Sequence, residues 1–143
     1  MFLDTVQPPE PTAYHRFHDV LLRFISLSLL LLSALAWLRM VGALEFGGNP
    51  DGWRFDLMPA HWKVASIVTA VVGPVAAVGL WLLSSWGVTL WLALAFFQIA
   101  IFSVLADRFE LRPALVAFHA ICLIVYIGVW LRIAVWERKH RLG

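Results

Sequence analysis

The feature that most constrains this chain is residues 64–83, a stretch of 20 residues without a charged side chain. Three comparable runs accompany it: about 21–44, with an uncharged part at 24–38, then 88–106 and 114–131. At 1.5 Å per residue, each run crosses a hydrocarbon layer of about 30 Å with help from its flanks. In lipid a span must satisfy its own backbone, so each run is read as a helix. Composition agrees: 62% of the residues are hydrophobic and 14% charged, whereas a soluble domain has about 25% charged. The expected fold is therefore all-α, a polytopic membrane protein with a four-helix transmembrane bundle in one domain.

The connections constrain topology. Only Ser84-Ser85-Trp86-Gly87 separates the second and third runs, which makes them an antiparallel hairpin. Residues 107–113 form a short polar turn, with Pro113 at a natural helix start. The long connection, 45–63, opens on Gly47-Gly48-Asn49-Pro50-Asp51-Gly52 and then interleaves aromatics with charges, as a headgroup-level segment does. Residues 1–20 read as a mobile or interfacial arm and 132–143 as a basic tail. Seven of the eight tryptophans lie near the ends of the runs, the position tryptophan prefers at a membrane boundary.

Basic residues near span ends are almost evenly divided. Arg16, Arg23, Arg132, Arg138, Lys139 and Arg141 fall on the side of the termini, and Arg39, Arg54, Lys63, Arg108 and Arg112 on the other. The dense cluster at 138–141 favours cytoplasmic termini, and a bacterial inner membrane is the expected location. Ala34-Leu35-Ala36 resembles a signal cleavage site. The leader would be long and acidic, however, and apolar sequence continues beyond it, so the first span is read as retained.

No span contains a carboxylate, and no hydrolase, metalloprotease or nucleotide-binding motif is present. The one cysteine, Cys122, forms no intrachain disulfide, and the net charge of +2 gives no reason to expect nucleic acid as a partner. No catalytic residue, metal site or cofactor is expected. Three polar residues have chemistry suited to contact a cofactor. Gln98 lies mid-span and needs a partner from another helix. His119 is the only histidine within an apolar run; as a haem ligand it lacks a second buried histidine, because His15, His18, His61 and His140 lie outside the runs. Arg39 ends the first span, either snorkelling to headgroups or pairing with Glu45 or Asp56 around a small polar pocket. His15 and His18 share a helix face but lack a third metal ligand. Ser26, Ser28 and Ser33 are expected to bond the preceding turn of their helix.

Ala65, Thr69, Gly73 and Ala77 recur at four-residue steps, a stripe of small residues that lets another backbone approach closely. Pro74 beside it is expected to kink the second helix.

Arg23 at the mouth of the first span, the Gly47–Gly52 loop and Val75-Ala76-Ala77-Val78-Gly79-Leu80-Trp81 carry a resemblance of plan. Over most of its length the chain resembles small bacterial four-span inner-membrane families of unknown function, and more distantly it is similar to the DoxX-like group. The latter resemblance implies a partner and quinone chemistry, and it transfers no functional residue. The function expected from the sequence is a non-catalytic accessory or scaffold subunit packing against another membrane protein, or self-associating, in the bilayer. The alternatives are a redox-associated subunit contacting a quinone or haem, and a small oligomeric transporter.

Overall fold

The computed structural model describes residues 12–43, 55–109 and 112–141, with the side chains of all but 106, 108, 140 and 141. The order is α1 (Ala13–Met40), α2 (Ala60–Trp81), α3 (Ser85–Ile99), a π-helical continuation of α3 (Ala100–Val104), one turn of α4 (Ala106–Phe109) and α5 (Pro113–Arg141). Four helical segments are long and apolar enough to cross a membrane: Ala13–Met40, Ala60–Trp81, Ser85–Val104 and Pro113–Lys139. The described residues thus form an all-helical, membrane-compatible bundle. The arm before residue 12 and the glycine-rich turn at 47–52, including Glu45, lie outside the described residues.

Helix bounds extend beyond the hydropathy limits at the outer ends of α1 and α5. α1 begins at Ala13, inside the stretch read as an arm, and α5 continues through Glu137, Arg138 and Lys139. Hydropathy registers what lipid accepts, whereas a helix ends only where its hydrogen-bond ladder is stopped. α1 stops at Gly42, whose φ of 73° lets its N–H reach the Arg39 carbonyl while the Ala43 N–H reaches Leu38. α2 closes in the same way: Leu83 donates to the Leu80 carbonyl and Ser84 to Gly79. Here a leucine occupies the left-handed position, with φ 54°. The reversal between α2 and α3 is consequently three residues long, 82–84.

α2 packs against α1 and α3, and α5 against α1 and α3. The core combines one stripe from each helix: Leu22, Ile25 and Leu29; Ala76, Ala77 and Leu80; Trp91, Leu94 and Ala95; Cys122 and Leu123. In α1, α2 and α3 they include the three- and four-residue steps that place side chains on one face. Trp91 is fully buried and meets Tyr126 edge to face at 5.4 Å. It therefore belongs to the core rather than to the boundary belt its place in the sequence suggested. α5 is the least enclosed helix: 11% of its apolar window is buried, against 28% for α1 and 39% for both α2 and α3.

Candidate functional site

Polar groups inside the bundle chiefly join α1, α2 and α3. Ser28 bonds back to the Phe24 carbonyl in its own helix, as expected for a serine in a span. Ser26 and Ser33 do not. Ser26 donates to the Ala77 carbonyl at 2.7 Å and Ser33 to that of Thr69 at 3.2 Å, both on α2. Trp37 Nε1 donates to the Ala70 carbonyl at 3.0 Å. Close approach at small α2 residues brings these carbonyls within reach: a β-carbon at Gly73 would overlap the Ser33 hydroxyl. Ala65, Gly73 and Ala77 are buried within the chain, so the stripe faces neighbouring helices of this protein. Ser26 and Ser33 share the stripe of Leu22, Ile25 and Leu29, and that spacing was the available sequence signal for them.

At the end of the bundle opposite the α2–α3 reversal, the end of α1, the start of α2, the end of α3 and the approach to α5 surround a cavity of about 130 Å³. α1 contributes Leu32, Leu35, Ala36 and Arg39; α2 contributes Trp62, Ala65, Ser66 and Thr69. Gln98 and Phe102 line it from α3 and its π-helical continuation, Arg112 and Leu115 from the start of α5, and Met58 from the long connection. π-Helical turns are rare and are found frequently at functional sites. This one carries buried Phe102 into the wall of the cavity.

Two guanidiniums, those of Arg39 and Arg112, line this volume, and each has interaction partners of its own. Arg112 lies over the rings of Trp62 and Phe102, 5.2 and 5.4 Å from their centroids, a cation–π arrangement that fixes where the guanidinium sits. Gln98 is 2% exposed. Its Nε2 donates to Thr69 Oγ1 at 3.2 Å, while its Oε1 has no hydrogen-bond partner among the described residues. Thr69 Oγ1 itself donates to the Ala65 carbonyl, and Ser66 Oγ to Met58 Sδ. Among the described residues, neither hydroxyl is hydrogen-bonded to a histidine or carboxylate of the kind that activates a nucleophile.

The three singled-out polar residues are thus divided. Arg39 and Gln98 line one cavity, and His119 does not. His119 is fully buried one turn beyond Leu115, with Nδ1 2.9 Å from the Leu115 carbonyl and Nε2 without a partner among the described residues. Carbonyl acceptance identifies Nδ1 as the protonated nitrogen. His15 lies 2.7 Å from Thr12 Oγ1 and edge-on to Trp136, and His18 lies 3.5 Å from Asp19. Sequence reasoning did not identify Arg112, Ser66 or Met58 as lining residues. The signal for Arg112 was its position directly before Pro113, on the same side of the bundle as Arg39.

No curated protein and no solved structure matches the chain. A family model does match, over residues 16–138, which takes in the second and third spans, nearly all of the first and fourth, and every described cavity residue. The chain therefore belongs to DUF6163, a family of unknown function.

Proposed function

We propose that this protein is a non-catalytic membrane protein that holds a small polar ligand or headgroup in the cavity between Arg39, Gln98 and Arg112. The observation that carries the reading is the buried Gln98 Oε1, an acceptor lining a cavity with no donor from the described residues. A buried polar atom left without a partner costs about 1–3 kcal/mol, and an occupant with a donor removes that cost. Native mass spectrometry of the protein, released from its membrane in mild detergent, tests this against Ala36→Phe, which fills the cavity. A small molecule bound to the wild type and lost from the variant is the expected result. Absence of any bound mass, or equal occupancy in both proteins, would refute it.

A second reading, an accessory subunit seated on another membrane protein, draws on α5. That helix is the least buried, and a β-carbon at Gly128 would meet nothing within 4 Å. A stoichiometric partner recovered in mild detergent and lost on Gly128→Trp supports this reading. An absorbing cofactor lost on His119→Ala would instead favour the redox alternative.

A further inference from the structure

We propose that the groove between α1 and α2, at the reversal end of the bundle, seats a zwitterionic phospholipid with a primary ammonium, of the phosphatidylethanolamine type. The groove shares no lining residue with the cavity of Arg39 and Gln98 at the other end, so this inference goes beyond the binding reading and does not fall with it.

Three observations carry it. First, the groove has a volume of about 360 Å³ and apolar walls, Leu27 and Leu30 from α1 against Val78, Trp81 and Leu82 at the end of α2. All five side chains are exposed, so in a bilayer acyl chains meet them. Second, the Arg23 guanidinium lies over the ring of Trp81, 5.8 Å from its centroid, at the mouth of the groove. Trp81 is the last residue of α2, at the boundary of the span where lipid phosphates sit. A guanidinium stacked on an indole keeps the donors at its edge available to phosphate oxygens. Third, Asp19 stands one turn before Arg23, about 6 Å farther out along α1 at 1.5 Å per residue. Steps of four and three place Asp19, Arg23, Leu27 and Leu30 on one face. Asp19 and Arg23 form no ion pair with each other: the carboxylate, 48% exposed, lies 3.5 Å from His18 Nδ1. From the groove outward the order is apolar, indole, guanidinium and carboxylate, and it complements acyl chain, ester region, phosphate and ammonium in turn. This sequence of charges selects the head. A phosphoglycerol head leaves Asp19 without a counter-charge, and the quaternary nitrogen of choline matches the charge but has no hydrogen to donate. A primary ammonium supplies both, in a charge-assisted hydrogen bond.

The test places the purified full chain in nanodiscs holding equal parts of phosphatidylethanolamine, phosphatidylglycerol and phosphatidylcholine of the same acyl composition, and counts the retained lipid by native mass spectrometry. In the wild type, phosphatidylethanolamine should be retained about threefold over each of the others, the scale of one partly exposed ion pair. Asp19→Asn should abolish that preference. Arg23→Gln should lower retention of all three lipids by about threefold, because each carries the phosphate. Val78→Trp, which fills the groove, should remove the retained lipid. Val71→Trp, in the groove of Trp37 and Ile67 at the other end of the same two helices, should leave the preference intact, as should Ala36→Phe in the cavity. Equal retention of the three lipids by the wild type overturns the proposal, and so does a preference that survives Asp19→Asn. A preference for phosphatidylglycerol shows an anion site instead and overturns it as well. A preference lost on Ala36→Phe assigns the lipid to the cavity, which overturns this proposal and supports the binding reading. A dimer mass in the wild type that Val78→Trp abolishes, with no lipid retained, makes a second copy the occupant and likewise overturns it. Should Val78→Trp fail to fold, the comparison of the wild type with Asp19→Asn, a change at a half-exposed side chain, decides.

Discussion

Gly79 of α2 and Gly87 of α3 meet backbone to backbone: a β-carbon at Gly79 would lie 2.5 Å from the Gly87 Cα and 2.6 Å from the Trp86 ring. The tight hairpin between the two helices depends on this absence of side chain. Gly79→Ala and Gly87→Ala should each lower stability by about 1–3 kcal/mol, the usual cost of overpacking. Gly128→Ala, in open space, should be neutral or gain up to ~1 kcal/mol from helix propensity. Thermal unfolding of the three variants in one detergent checks the contrast, and similar losses at all three would contradict the packing described.

Gly73 and Ser33 offer a test of coupling. The β-carbon of Gly73→Ala overlaps the Ser33 hydroxyl but is 3.4 Å from the Ser33 Cβ. Gly73→Ala alone should cost about 1–3 kcal/mol. Ser33→Ala alone should cost about 0.6 kcal/mol, typical of a hydrogen bond between membrane helices. Combining them should recover most of the first loss, because the clashing atom is gone. A double-mutant cycle with additive costs would show that the two residues do not touch.

Leu83 holds a left-handed conformation that costs a residue with a β-carbon roughly 1–2 kcal/mol. Leu83→Gly should therefore raise stability by about 1 kcal/mol, less the entropy glycine adds to the unfolded chain. The leucine is 37% exposed, so little packing is lost. A lowered melting temperature would show that its remaining contacts outweigh the backbone strain.

His119 bonds only within α5, and its Nε2 is buried without a partner among the described residues. Replacing a buried polar group by an apolar one of similar shape is nearly neutral when no partner is left unpaired. His119→Phe should thus change stability by less than about 1 kcal/mol and leave the visible absorption spectrum unaltered. Loss of an absorbing species would show that the ring ligates a cofactor.

Trp91 and Tyr126 join α3 to α5 through an edge-to-face contact. Tyr126→Leu should cost about 0.5–1.5 kcal/mol beyond the change in buried area, and Trp91→Ala about 3–5 kcal/mol. The second loss should loosen α5 selectively, which amide hydrogen exchange measures as faster opening of α5 than of α2.

What the sequence by itself determined was the set of spans. In hydrocarbon each helix must satisfy its own backbone, so uncharged length alone announces it, and residues 64–83 announced α2 without reference to any other element. The need of Gln98 for a partner on another helix was legible on the same ground. Tertiary structure decided which polar groups meet. Nothing local to Thr69 marks it as the acceptor for Gln98, and nothing local to Arg112 marks it as sharing a cavity with Arg39. Those pairings depend on how closely α1 and α2 approach at Gly73 and Ser33, and α2 and α3 at Gly79 and Gly87. Helix rotation and crossing are set by the fit of side chains from several helices at once. A pattern read along one helix fixes which face is small or apolar, but not which neighbour that face will meet.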